Sequence, residues 1–359
     1  MTPMSTFAIG LVVGKFAPLH LGHEWLIRHA AARCERLLVL SYTKPEFDRC
    51  EVDRRRAWLT ARCPGHDCLV IDDAWLSDAC QARGMPARPV PANDAPDTVH
   101  QTWLAWLLAE VLDCRPDAMF CSEDYGPSTA RTLSLAFGKQ VVSVIVDRER
   151  VHLPIRASAI RTSPGLARHW TAPEVAAAFV RRLAVLGGES SGKTTLAAAL
   201  ADDLGTVWVP EYGRELWELQ GGVTEPDLPA IAQEQVRRED QAALTARDWL
   251  VCDTTPLTTY GYSLWMFGRS TAERERLAGR PYDAIVLCCP DVAFVQDGTR
   301  RDEDFRRQQH NWYLAHVQAG HTPWLAVAGS VAQRVSQVLS WLEDGGTSRS
   351  GVAIGQVPR

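Results

Sequence analysis

The run Gly187-Gly188-Glu189-Ser190-Ser191-Gly192-Lys193-Thr194, with Thr195 behind it, has the residue types and spacing needed to hold a polyphosphate. Glycines let a backbone curl until its N–H groups converge on phosphate oxygens, and a following helix adds the positive end of its dipole. The run fits G-x-x-x-x-G-K-[ST] throughout and sits between an apolar strand pattern and a helical one, the context a P-loop requires. Lys193 is placed to bridge the outer phosphates of ATP, and the Thr194 hydroxyl to meet Mg²⁺. The apolar run that ends in Asp253 offers a second ligand for that metal, or a base.

Glu211, Tyr212 and Arg214 follow the strand pattern 207–209, at the strand end where open α/β sheets bind ligands. A carboxylate there can hold ribose hydroxyls and a ring can stack on a base. The structural alternative for Glu211 and Arg214 is an ion pair at a helix start. Asp253 and Glu211 both remain candidates for the base that takes a hydroxyl proton. The segment 297–301, followed by the charged run 302–307, reads as a lid whose Arg300 stabilises charge on a transferring phosphoryl group. Its alternative is an exposed charged helix. No Asn-Lys-x-Asp guanine-reading motif occurs, which weighs against a GTPase.

A second constellation lies near the N-terminus: Gly14-Lys15-Phe16-Ala17-Pro18-Leu19-His20-Leu21-Gly22-His23. Two imidazoles at a helix start, with a glycine between them for close backbone approach, suit the phosphates of a nucleotide. A metal-binding or core histidine pair is the alternative, and no third ligand cluster accompanies it.

Both constellations demand the same frame of apolar strand, glycine loop and helix. The first frame runs through 8–13, 14–22 and a helix from 23 to about 34; the second through 183–186, 187–193 and a helix from about 194 to 204. Further strands are expected at 37–40, 68–71, 118–121, 141–146, 207–209, 249–252, 284–288 and 324–327, with helices at 99–112, 173–180, 227–246 and 330–343. This alternation predicts α/β architecture in two parallel-sheet domains. The expected division is 1–168, a linker helix at 169–182 with Thr171 as its N-cap, 183–343, and a disordered tail at 344–359. The Pro-, Ala- and Asp-rich stretch 86–97 reads as a loop that closes over substrate.

A net charge of −5 argues against a broad nucleic-acid surface, and no apolar run is long enough for a bilayer span. The 10 cysteines show no disulfide framework or CxxC pair, so reduced thiols and a cytoplasmic location are expected.

Gly14–His23 resembles the G-x-F-x-P-x-H-x-G-H motif of HxGH nucleotidyltransferases, whose domain is Rossmann-like. Ile155–Arg161 aligns with that family's I-S-x-[ST]-x-x-R: Ser158 and Arg161 match, and Arg156 replaces the first serine. Taken with Ser122-Glu123, the string Leu186–Lys193, Glu211–Glu215, Asp253-Thr254, Thr258-Thr259 and Asp297-Gly298 with Arg300, the chain resembles bifunctional nicotinamide-mononucleotide adenylyltransferase/ribosylnicotinamide kinases of NadR type over about 7–343. The resemblance implies a kinase domain that phosphorylates ribosylnicotinamide with ATP. It implies an adenylyltransferase domain that joins nicotinamide mononucleotide to AMP from a second ATP. In that domain Gly14, Lys15, Phe16, His20, Gly22, His23, Ser158 and Arg161 would bind ATP; in the kinase, Gly187 through Thr195 and Arg300. Adenylyl transfer to a phosphate needs positioning and charge stabilisation more than acid–base work, because the attacking phosphate is already anionic. Trp103 and Trp106 match a Trp-x-x-Trp of similar proteins, and one of them would stack on the pyridinium; core packing at helical spacing is the alternative. Some relatives carry an N-terminal helix-turn-helix. Because the first strand starts almost at once here, no operator binding is expected, and the partners are small molecules. A homo-oligomer is left open. Two other functions remain: a kinase with a non-catalytic nucleotide-binding N-terminal domain, and a nucleotide-sensing regulator.

Overall fold

The computed structural model describes residues 7–296 and 300–345. The chain divides into two compact units between Phe179 and Val180. In the first, β1 (Phe7–Gly14), α1 (Leu21–Ala31), β2 (Cys34–Tyr42), α2 (Val52–Arg62), β3 (Asp67–Ile71), α3 (Asp73–Gln81), α4 (Asp97–Trp106), β4 (Ala118–Cys121), α5 (Tyr125–Phe137) and β5 (Val142–Ile145) are followed by short helices α6 (Ala157–Thr162), α7 (Ala167–Trp170) and α8 (Pro173–Ala176). The strands are parallel in the order β3-β2-β1-β4-β5. Helices cover both faces, so β1 is buried on each: Val12 packs with Leu26, Ile27 and Trp58, and Leu11 with Leu76, Leu104 and Leu133.

The second unit holds β6 (Arg181–Leu186), α9 (Lys193–Asp203), β7 (Trp208–Val209), α10 (Tyr212–Gln220), α11 (Leu228–Ala243), β8 (Trp249–Asp253), α12 (Pro256–Phe267), α13 (Ala272–Ala278), β9 (Ala284–Cys288), α14 (Glu303–Ala319), β10 (Trp324–Val327) and α15 (Val331–Glu343). Its sheet is also parallel, in the order β10-β9-β6-β8-β7. Val185 packs toward α9 and α15, and Leu186 toward α12 and α14. In each sheet the first strand in sequence is the central one, with crossovers leaving to both sides. The crevice at its carboxyl end is where such sheets bind ligands.

The expected α/β class with two parallel sheets is what forms. Local details differ. The segment 169–182 is not one helix: α8 is a single turn, Ala177–Phe179 is a 3-10 turn, and β6 begins at Arg181. Thr171 ends α7 instead of starting α8, because its hydroxyl donates back to the Ala167 carbonyl at 2.8 Å. The charged run 302–307 is the start of α14, capped by Asp302, which accepts the Phe305 N–H at 2.7 Å. Asp297–Thr299 and the tail from 346 lie outside the described residues. All 10 cysteines are free thiols, and among the described residues no helix is long and apolar enough to cross a membrane.

Candidate active sites

In the first unit the loop after β1 delivers two imidazoles to the start of α1. His20 is the N-cap. Its Nδ1 accepts the His23 backbone N–H at 3.3 Å, and the Nδ1 of His23 accepts the His20 N–H at 3.4 Å. The rings stack at 3.6 Å. The reciprocal cap fixes both rings as acceptors at Nδ1, so in the neutral form each carries its proton on Nε2. Burial, with the charge of Arg150, pulls His20 down to about 4. Burial, His20 and Arg150 hold His23 well below the usual histidine range. Gly22 permits this packing, since a Cβ there would lie 3.0 Å from the His20 ring.

Gly14, Lys15, Phe16, His20, Gly22, His23, Ser158 and Arg161 all line one cavity of about 420 Å³. The Phe16 ring meets His23 edge-on at 5.0 Å. Arg161 lies 4.0 Å over the Phe47 ring and donates to the Ala17 carbonyl. The Lys15 ammonium reaches the Asn93 carbonyl at 3.2 Å, which ties the loop 86–97 to the cavity rim. Arg156 is exposed at the N-terminus of α6 and also lines the cavity.

Trp103 and Trp106 do not line it. Both are buried in the core behind β1 and β2, with Trp103 against Tyr42 at 4.7 Å; His100, Gln101 and Leu104 present the lining face of α4 instead. Helical spacing fits either face, so the pattern alone could not choose. Sequence reading also missed Arg150, which lines the cavity and pairs with Glu123 at 2.6 Å. It belongs to an irregular loop with no motif of its own.

In the second unit the loop after β6 closes on itself. The Lys193 ammonium and the Ser191 hydroxyl both donate to the Gly188 carbonyl, at 3.0 and 2.7 Å. Gly188 must be a glycine because a Cβ would sit 2.5 Å from the Arg306 carbonyl oxygen. Arg334 of α15, almost fully buried, braces the loop by donating to the Ser191 carbonyl at 2.6 Å. Ser190 accepts from the Val295 N–H at 2.9 Å and from Arg300 at 3.3 Å. Gly192 immediately precedes α9, and Thr194 and Thr195 lie exposed in its first turn. The Thr194 hydroxyl donates to Asp253 Oδ2 at 2.6 Å.

Gly187, Glu189, Lys193, Glu211, Arg214 and Arg300 line a cavity of about 210 Å³. Burial raises the carboxyls of Glu211 and Asp253, and the Lys193 charge opposes the rise in both. Tyr212 is not part of the lining: its ring lies under the Arg238 guanidinium of α11 at 4.4 Å. The aromatic lining comes from Trp217, Tyr262, Phe267, Phe305 and Tyr313. Tyr262 donates to Glu189 Oε1 at 2.9 Å, and the Glu189 N–H reaches Gln309 at 2.8 Å. These residues come from α10, α12 and α14, far along the chain from the glycine loop.

Sheet order, glycine loops and cavities together define a two-domain α/β protein: a Rossmann-like nucleotide-binding type of domain followed by a P-loop domain. The profile of the AAA domain family matches residues 182–334. The trifunctional NAD biosynthesis/regulator protein NadR of Escherichia coli is 28% identical over 312 residues, 83% of this chain and 73% of that protein. Its namesake from Salmonella typhimurium is 27% identical, over 81% of this chain and 71% of that protein. A crystal structure of a NadR protein in complex with NAD and AMP-PNP superposes with a TM-score of 0.67 at 17% identity, and another in complex with NR with 0.69 at 18%; both cover the whole of each chain. The chain is homologous to these NadR proteins over most of its length.

Proposed function

We propose that this chain is an enzyme of NAD biosynthesis with two ATP-dependent activities. The second unit phosphorylates ribosylnicotinamide, and the first joins nicotinamide mononucleotide to AMP. The observation that carries this reading is the pair of separate phosphate cradles, each beneath the central strand of its own sheet.

In the kinase site Glu211 faces the cavity, whereas Asp253 lies almost fully buried behind Thr194. This favours Glu211 as the group that takes the proton of the ribose 5′-hydroxyl; its raised basicity suits that task. The hydroxyl oxygen bonds to the γ-phosphorus as the bond to the β-phosphate oxygen breaks, and ADP leaves. Lys193 and the loop N–H groups hold the charge that moves onto the leaving phosphates. Thr194 and Asp253 fit Mg²⁺: Asp253 Oδ1 is buried without a protein partner, and the two oxygens are hard ligands. When bound, Mg²⁺ would neutralise phosphate charge.

In the adenylyltransferase site a phosphate oxygen of nicotinamide mononucleotide attacks the α-phosphorus and pyrophosphate departs. The Nε2–H groups of His20 and His23, with Lys15, Arg161 and Arg150, stabilise the charge on the phosphates. No base is needed, because the attacking phosphate is already anionic.

Incubation of the pure protein with ribosylnicotinamide, ATP and Mg²⁺ tests the reading. ADP should form first, and then NAD and pyrophosphate; failure to form ADP removes the kinase activity. A second reading keeps only the kinase, because Arg156 puts a bulky cation where relatives of the motif have serine. Nicotinamide mononucleotide with ATP decides it: no NAD from the wild type, with NAD regained in Arg156→Ser, would favour this alternative.

A further inference from the structure

One polar group in the kinase cavity serves neither phosphate binding nor hydroxyl activation. Gln235 lies on the face of α11 that carries Ile231 one turn earlier and Leu228 two turns earlier, and all three line the cavity. It is 3% exposed. Its Oε1 accepts the Tyr212 backbone N–H at 3.0 Å. That bond settles the orientation of the amide, because a backbone donor must face the oxygen and not the NH₂ group. The Nε2 is buried and without a hydrogen-bond partner, in a side chain that lines the cavity. A buried donor is expected to be paired, and here the protein supplies no acceptor.

The surroundings indicate which part of a ligand would supply one. Trp217, Leu228, Ile231 and Phe267 make this end of the cavity apolar and aromatic, whereas Lys193 and Arg300 mark the phosphate end. A flat heterocycle fits the first and a triphosphate the second.

We propose that Gln235 is a specificity-determining residue of the kinase site, whose Nε2 donates to a hydrogen-bond acceptor carried on the ring of the nucleoside; for ribosylnicotinamide that acceptor is the carboxamide oxygen. The inference rests on the kinase reading given above. A donor of fixed orientation rewards an acceptor substituent and is left unpaired by a bare ring, a form of discrimination stronger than fit alone.

The test compares kcat/KM for ribosylnicotinamide, for ribosylpyridinium without the carboxamide, and for ribosylnicotinate. Wild type should prefer ribosylnicotinamide to the bare ring by about 10- to 100-fold. Gln235→Leu should lose that factor for ribosylnicotinamide and keep the bare ring within about threefold, so that the preference collapses. Gln235→Glu keeps the bond to Tyr212 and guards against a folding defect in the leucine variant. It should lower ribosylnicotinate at least about 10-fold more than the bare ring, because an acceptor then faces an acceptor. Equal losses on all substrates, or no loss on any, overturn the inference while leaving the kinase intact. A wild type that phosphorylates none of them overturns the kinase reading, and this inference with it.

Discussion

The two cradles solve the same problem with different chemistry. In the second unit, phosphate is to be held by a curled backbone, a lysine and a hydroxyl backed by a buried carboxylate. In the first, two imidazoles kept neutral by burial cap the start of α1 through reciprocal bonds at Nδ1. On the proposed reading, the difference follows the nucleophile. A hydroxyl must lose a proton, so the kinase cavity includes Glu211, made more basic by burial. A phosphate is already an anion, so the imidazole site needs donors that stay in one protonation state.

The sharpest way to break this contrast is Lys193→Ala. It should reduce ribosylnicotinamide phosphorylation by about 10³ or more and leave adenylylation unchanged. His20→Ala should do the converse, slowing NAD formation from nicotinamide mononucleotide by about 10²–10³ while ADP formation continues. Equal damage to both activities by either variant would mean that the sites are not independent.

Glu211→Gln should cost about 10²-fold in kinase kcat. Wild-type kinase activity should also fall as pH drops through the raised Glu211 pKa, and the glutamine variant should lose that limb of the profile. A smaller effect separates two aromatic residues. Trp217→Ala should raise KM for ribosylnicotinamide by about 2- to 30-fold through the lost cation–π face, whereas Tyr212→Leu should leave it nearly unchanged. The smallest effect is on stability. His20 titrates at about 4 in the fold against an ordinary 6.5. The unfolded chain therefore binds more protons between those values, and stability is full above about 6.5 and lost as pH falls toward 4. Thermal melts across that range should show a shallower slope for His20→Gln.

The fold was legible in the sequence because parallel strands buried on both faces are continuous apolar runs. The strands at 118–121, 284–288 and 324–327 have the expected bounds. Helices such as α2 and α13 were not anticipated: each is dominated by charged residues, with a short buried stripe that gives weak periodicity. The glycine loops were legible because each is one contiguous stretch of sequence that ends at a helix start. The acceptor side of each cavity was less so, since Trp217, Tyr262 and Gln235 come together only when α10, α11 and α12 pack. Tyr212 shows the limit most clearly. Its position after a strand suggested a stacking ring, yet the turn of α10 directs the ring to Arg238 and brings Trp217 to the cavity instead.

Calorimetric titration of the intact protein with a non-hydrolysable ATP analogue tests the central claim most directly. Two binding sites per chain are predicted for the wild type, with one remaining in Lys193→Ala and the other in His20→Ala. A single wild-type site, or the loss of both sites in either variant, would contradict two separate grips on ATP.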